Sequence, residues 1–389
     1  MIIARLRMLF ALLGGDKQVK TSRKRSLVSW GLMVTVGFFL GGVAIAQENG
    51  LRTFDFITMT TEAHLTVPVT GPKTPDELFA LAKEAIVAVE KLMAPIGEES
   101  DVARFNQSRP RSWTEINPLT LKVLEECAAG YDYSGEAFDP TIGGLKGLFR
   151  FDTSELIVWP SEEEINRARQ AVGFDELTID SQGLRIFKPK EGLTLDLGAA
   201  AKGFAIDRAL EALREAGVTS ALVEIGGEVG TLGLTPEGQP WLVLIDDPRI
   251  GGERLAFELV NSFVATSGGK ASYFTYDGHK YLHILDPRTG TPISGAILQT
   301  TVAHPSSCLA ADVMSTALFV VGPEGAKAAL EAYVQGARAR EVAFTGLEAI
   351  IFYQTPDDKV RLRLYRVSAD GSVIEVEAAS DIRLLGDKK

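Results

Sequence analysis

The 389-residue chain has two cysteines, four histidines and no Cys-x-x-Cys pair, too few soft ligands for a structural zinc centre. It contains no His-Glu-x-x-His and no Gly-x-Ser-x-Gly, which removes the zinc-protease and ordinary serine-hydrolase readings. The small-residue stretch at 196–207, DLGAAAKGFAID, has neither the Gly-x-x-x-x-Gly-Lys-[Ser/Thr] order of a P-loop nor a Gly-x-Gly-x-x-Gly. Positive charge is short as well. The net charge is −11, and because residues 1–46 contribute +6, residues 47–389 carry −17. So acidic a body repels phosphate backbones, and no nucleic-acid partner is expected. Repeats, low-complexity tracts and a Pro/Ser/Gly linker are missing after Gln47.

What is present is an ordered globular composition, 46% hydrophobic and 23% charged, on a chain long enough for one large core or two modest ones. The N-terminus stands apart. Arg5, Arg7, Lys17, Lys20, Arg23, Lys24 and Arg25 precede an apolar run at 27–46 that ends Ala44-Ile45-Ala46 before Gln47. A basic flank, an apolar run and a small-x-small end make a signal peptide. The same run is just long enough to remain as an inner-membrane anchor. Either way the body is expected outside the cytoplasm, on the periplasmic side. The expected organisation is a signal peptide or anchor at 1–46 and one domain at 47–389. Cys127 and Cys308 each fall in an apolar helical pattern, which favours buried free thiols over a disulfide.

Residues 53–69 alternate as strand material. Asp76 is expected to cap a helix to about Met93 that buries Leu78, Leu81, Ala85, Ala88 and Leu92. Asn117 with Pro118 opens a second helix, and Ser161 with Glu164 forms a capping box for a third. The segment LTLDL at 193–197 reads as a strand, followed by a helix from about Ala200 to Ala216, a stop at Gly217 and a strand over 220–225. Strands near 241–246, 255–260 and 281–285, a helix at about 308–321, and two terminal strands complete the chain. Interspersed elements without a regular βαβ period predict an α+β fold of mixed sheets with packed helices.

Three stretches carry chemistry. On the 308–321 helix, Asp312 and Thr316 are four apart and share an otherwise apolar face. That pair is either a local hydrogen bond, a carboxylate paired with a distant Lys or Arg, or two oxygen ligands for a hard cation such as Mg²⁺. In DLGAAAKGFAID, Asp196 and Lys202 flank residues small enough for a backbone or ligand to approach, ahead of a helix N-terminus; tight strand–helix packing explains them equally well. In 265–293, Thr266, Ser267, Gly268 and Gly269 offer hydroxyls and free backbone, and His283, Asp286 and Arg288 lead into a Pro-Arg-Thr-Gly turn.

Together these stretches resemble the ApbE-type FAD:protein FMN transferase family. ESDVARFN (99–106), GEAFDPTIGGL (135–145), DLGAAAKGFAID, VEIGGEV (223–229), ATSGG (265–269), HILDPRTGTPI (283–293) and AADVMSTALFVVG (310–322) match its signatures in order. The resemblance implies the ApbE-like fold and an enzyme that cleaves FAD with Mg²⁺. FMN would pass to a Thr or Ser hydroxyl of an exported acceptor, such as a flavoprotein subunit of a redox complex, and AMP would leave. It implies Mg²⁺ ligands at Asp312, Thr316 and the carbonyl of Ala199, and FAD contacts at Met59, Asp196, Lys202 and Gly268. The acceptor hydroxyl needs a base, for which His283 and Asp286 are the candidates. The chain departs from the family at Met59-Thr60-Thr61, where the family has Met-Gly-Thr, at Gly144 and Phe149, where it often has Pro and Trp, and at Lys270 and Ser272. An FAD pyrophosphatase, with water as acceptor, and a non-catalytic flavin-binding or delivery protein are the rival expectations.

Overall fold

The computed structural model describes residues 50–149, 151, 158–248, 254–268 and 273–376, with short strands at Arg5–Leu9, Gln47–Glu48 and Leu384–Leu385. Of the expected signal or anchor segment, the apolar run at 27–46 lies outside the described residues, as do Lys270 and Ser272.

Ten strands form the principal sheet, in the spatial order Val373–Val376, Val360–Val367, Glu348–Gln354, Ile297–His304, Phe263–Gly268, Glu228–Leu232, Ala221–Ile225, Thr61–Pro68, Leu51–Thr58 and Gln47–Glu48. Every neighbouring pair is antiparallel. The side-chain alternation of a strand sends Ala221, Val223 and Ile225 into the main core and Leu222 into a second one. The main core is closed by the helices Pro75–Met93, Pro118–Tyr133, Ala201–Glu215 and Cys308–Ala339. The second lies beneath the hairpin Trp241–Asp246/Arg254–Leu259, where Trp241, Val243 and Phe257 meet Leu222 and Val264. With both faces covered, the central strands are buried on both sides, as 221–225 shows.

The α+β expectation holds, and most local signals do too. Asn117 caps Pro118–Tyr133, and Ser161 and Glu164 form the capping box of Glu162–Ala171. Gly217 terminates Ala201–Glu215 with φ 83°, which glycine adopts without strain. Cys127 and Cys308 are both buried and free.

Five expectations need correction. The first long helix starts at Pro75 and is capped by Thr74, whose side chain and Glu77 form a capping box; Asp76 lies inside its first turn. Its buried face is Leu78, Ala82, Ile86, Val89 and Met93, so that Ile86, Val89 and Met93 enter the core in place of Ala85, Ala88 and Leu92. The LTLDL segment is extended but joins no sheet, pairing only through an Ile142–Thr194 bridge. The 308–321 helix continues to Ala339 across a break at Gly322 (φ 68°), where Pro323 starts a fresh turn, and among the described residues four strands rather than two follow it. Among the described residues it alone is long and apolar enough to cross a membrane, yet 67% of its apolar window is buried, which marks it as the core helix.

Candidate functional site

The segment 193–197 is held in place by its neighbours. Asp196 N–H donates to the Pro140 carbonyl (2.8 Å) and Gly143 N–H to the Thr194 carbonyl (3.2 Å). Asn106 reads both sides of Leu195, its Nδ2 donating to the carbonyl (2.9 Å) and its Oδ1 accepting from the N–H (2.7 Å). The family-like segments ending at Asn106 and spanning 135–145 therefore clamp the DLGAAAKGFAID stretch. Residues 198–200 turn, and the helix begins at Ala201 without a side-chain cap of its own.

Its first-turn Gly203 N–H donates instead to Asp312 Oδ2 (3.0 Å) on the core helix. A Cβ on Gly203 would stand 2.4 Å from the Cys308 carbonyl oxygen and 2.8 Å from Asp312 Cβ, so only glycine lets the helices meet this closely. The turn containing Ala199 is thereby brought to Asp312. One helical turn further on, Thr316 Oγ1 lies 3.0 Å from Ser267 Oγ, which is also 2.7 Å from Ser315 Oγ. Ser267 comes from the strand Phe263–Gly268, whose last residue, Gly268, has φ +89° and leaves no room for a Cβ, with Phe319 2.4 Å away.

Lys202 is enclosed by carboxylates. Its Nζ donates to Glu228 Oε1 at 2.7 Å and lies 3.7 Å from Asp312 Oδ1, and Glu228 and Asp312 are 3% and 2% exposed. Burial works against the Lys202 ammonium, but Asp312 and Glu228 outweigh it and hold the charge on. Burial pushes the Glu228 carboxyl up; Lys202 opposes this and Asp312 adds to it. Glu228 Oε2 is buried and has no hydrogen-bond partner.

At the other end of the turn, Asp196 Oδ1 accepts from Gly198 N–H (2.9 Å) and Oδ2 pairs with Lys146 Nζ (2.7 Å). Burial would raise the Asp196 carboxyl, yet Lys146 and the Gly198 N–H, with a smaller influence from nearby His283, hold it below the ordinary carboxylate range. His283 lies on the strand His279–Asp286, its ring edge-on to Phe151 at 6.4 Å. Asp286, at the end of that strand, takes Arg288 Nε on Oδ1 (2.9 Å) and Arg288 Nη2 on Oδ2 (2.8 Å).

Met59 and Thr60 form the two-residue turn of the hairpin Leu51–Thr58/Thr61–Pro68, with φ 47° and 62°. Met59 N–H donates to Glu90 Oε1 (2.9 Å) while its side chain packs against the main core. Phe149 is fully buried among Trp159 and Phe274, so this departure from the family builds a local aromatic core rather than a ligand surface.

Asp312, Thr316, Lys202, Gly268 and the Ala199 turn thus share one region, and Asp196 and His283 share the adjoining one. Sequence reasoning gave no role to Glu228, Lys146 and Asp207. Asp207 Oδ1 accepts from Cys308 N–H (2.7 Å), and Oδ2 from Leu309 N–H (3.0 Å) and Ser307 Oγ (2.9 Å). Glu228 and Asp207 sat inside quoted motifs, but their partners lie 26 and about 100 residues away, beyond any local pattern.

The oxygens at Asp312 and Thr316, with a buried acid beside them, suit a hard cation. Among the described residues no cluster of three His, Cys, Asp or Glu side chains makes a metal centre by itself. A cation here would therefore draw on hydroxyl, carbonyl and substrate oxygens.

Comparison with known proteins identifies the family. The ApbE family model matches residues 59–340. A protein of Vibrio cholerae named FAD:protein FMN transferase is 34% identical over 248 residues, 63% of this chain and 73% of that protein. One of the same name from Haemophilus influenzae is 30% identical over 307 residues, covering 76% and 87%. Among solved structures, the flavin transferase ApbE from Vibrio cholerae superposes with a TM-score of 0.69 at 28% identity, covering 82% of this chain and 97% of that one. The apo flavinyl transferase ApbE of Pseudomonas stutzeri gives 0.70 at 29%, covering 87% and 98%. With most of its length matched by the family model and its fold shared with solved members, the chain belongs to the ApbE family.

Proposed function

We propose that the chain is a Mg²⁺-dependent FAD:protein FMN transferase. The observation that carries this reading is the meeting of Asp312, Thr316 and the Ala199 turn beside the buried Lys202–Glu228 pair. Asp312 Oδ1, Thr316 Oγ1 and the Ala199 carbonyl would hold Mg²⁺. When bound, the ion would supply positive charge to offset the negative charge that develops during phosphoryl transfer. Asp312 already accepts from Gly203 on one oxygen, which fixes the other toward the site. Thr316 is oriented by Ser267. Lys202 supplies the permanent positive charge without which two carboxylates would repel the diphosphate.

In the reaction, the acceptor Thr or Ser oxygen attacks the FMN-side phosphorus. A phosphoester bond forms, the bond from that phosphorus to the bridging oxygen breaks, and AMP leaves with the electron pair. The hydroxyl proton passes to a base. His283 suits this role better than Asp286, because protonating Asp286 would break its two-pronged pairing with Arg288. The acceptor we infer is an exported flavoprotein subunit of a redox complex. The basic flank and apolar run at 1–46 support a periplasmic location, free or anchored to the inner membrane.

The test is one incubation of the protein with FAD, Mg²⁺ and a candidate acceptor. Fluorescent flavin on the acceptor supports transfer. Free FMN with AMP indicates a pyrophosphatase, and unchanged FAD a binding protein. Asp312→Ala is expected to lower Mg²⁺-dependent turnover at least about 100-fold, the scale on which removing a group that stabilises transition-state charge acts.

A further inference from the structure

The two lysines beside the 198–200 turn are not equivalent. Lys202 is committed to Glu228 and Asp312. Among the described residues Lys146 has one partner, Asp196 Oδ2, and its side chain remains 32% exposed. An ammonium has three N–H donors, so that single pairing leaves donors for a ligand. Asp196, by contrast, already has Gly198 N–H on one oxygen and Lys146 on the other.

The position of Lys146 is built rather than incidental. It lies on the short helix Gly143–Leu148, which is docked against 193–197 through Gly143. A Cβ on Gly143 would come within 2.8 Å of Thr194 Oγ1, so that glycine allows the approach. Lys146 Nζ would stand 3.5 Å from a Cβ on Gly198, the residue immediately before Ala199. The ammonium therefore borders the turn that contains Ala199, whose carbonyl is proposed above as a cation ligand.

We infer that Lys146 is a substrate-binding residue that donates to an anionic diphosphate oxygen of FAD, with Asp196 as the residue that positions it. This rests on the flavin-transfer reading above. It assigns to Lys146 the direct anionic contact, and to Asp196 the task of keeping a four-carbon side chain in one orientation. A charge-assisted hydrogen bond of this kind contributes about 1.5–3 kcal/mol, and roughly 1.4 kcal/mol corresponds to tenfold in affinity.

The experiment is a fluorescence titration of the full-length chain with FAD and with riboflavin, which lacks phosphate, in Mg²⁺ and without acceptor. It compares wild type, Lys146→Met, Lys146→Arg, Asp196→Asn and the Lys146→Met/Asp196→Asn double variant. Loss of Lys146 should weaken FAD at least about tenfold in both the wild-type and the Asp196→Asn backgrounds, and Lys146→Arg should keep most of the affinity. Riboflavin binding should change less than about twofold. If Lys146→Met weakens FAD only while Asp196 is present, the lysine merely masks a carboxylate and the proposal is overturned. Equal losses for FAD and riboflavin overturn it too, since Lys146 would then only shape the pocket. A wild-type chain that binds no FAD defeats the flavin-transfer reading itself, whereas wild-type binding with an unaffected Lys146→Met defeats this inference alone.

Discussion

Asp207 and Asp312 cap each other's helices. Asp207, on Ala201–Glu215, accepts from the first backbone N–H groups of the helix that carries Asp312. Asp312 in turn accepts from Gly203, in the first turn of the helix that carries Asp207. Each carboxylate thus sits at the positive end of the other's helix, where negative charge is favoured. The pair fixes the crossing of the two helices, and with it the distance between the Ala199 turn and Thr316.

Replacing Asp207 by Ala removes three acceptor contacts at a partly buried helix start. A lost N-cap costs about 1–2 kcal/mol, and orphaned N–H groups add to it, so a loss of roughly 2–3 kcal/mol in urea denaturation is expected. Burial pushes the Asp207 carboxyl up to about 6, against the Cys308 and Leu309 N–H groups and the Ser307 hydroxyl. The folded state therefore holds that proton more tightly than the unfolded one, and this contribution to stability weakens as pH rises from about 4 to about 6. Asp207→Asn should remove that part of the pH dependence; an unchanged profile would contradict the assignment.

Gly203→Ala should be costly in spite of its small size. Its Cβ meets a backbone carbonyl and cannot be relieved by a side-chain rotation. Overpacking of this kind costs about 1–3 kcal/mol. Because the same clash pushes Asp312 away, Mg²⁺ half-saturation in the transfer assay should rise several-fold. Full stability and unchanged half-saturation together would show that the helices tolerate a wider spacing.

Thr60 holds a β-branched side chain at φ 62°, a conformation such residues rarely adopt. Thr60→Gly should stabilise the hairpin by about 1 kcal/mol, since the left-handed penalty of roughly 1–2 kcal/mol is partly offset by glycine's greater unfolded entropy. Calorimetry should show a rise of about 2 °C in Tm. A fall would mean that the Thr60 side chain contributes more than its backbone costs.

His304 is 1% exposed, and burial depresses its pKa to about 3. Its Nδ1 accepts from the Ser306 and Ser307 N–H groups, which leaves Nε2–H to donate to the Tyr333 hydroxyl at 2.7 Å. The folded state keeps the ring neutral, so unfolding takes up a proton below pH 6.5. The resulting stability is fully present above that pH and declines as pH falls toward 3. Between pH 8 and pH 5 this group alone should account for about 2 kcal/mol. His304→Gln should flatten that acid limb in urea titrations by the same amount.

Most features that depend on near neighbours in sequence were legible; the Thr74–Glu77 capping box, three residues apart, is the exception, because the adjacent Asp76 is as good a cap by type. The caps at Asn117 and Ser161, the stop at Gly217 and the Asp312–Thr316 face all follow from spacings of four residues or fewer. The first helix shows the limit. Its apolar pattern allowed two adjacent stripes, and the choice fell to the larger Ile86, Val89 and Met93. The site partners Glu228, Lys146 and Asp207 were not legible, because sheet register and the docking of the 143–148 helix decide which charges face one another. The break at Gly322 was visible as Gly-Pro, but the helix beyond it recovers because Pro323 suits a first turn.

The strand Phe263–Gly268 is the seam between strands that come before it in the chain and strands that come after it. During synthesis, a chain grown to residue 260 has its 228–232 strand as a bare edge, open to wrong pairing. Lys202 and Asp196 exist from the midpoint of translation, but Phe263 and Val264 close that edge only later, Ser267 follows them, and Thr316 comes later still. The proposed cation site is therefore among the last parts to be completed. A nascent or truncated chain ending before Cys308 carries its lysines without Asp312 and Thr316, the two side chains proposed to hold the cation.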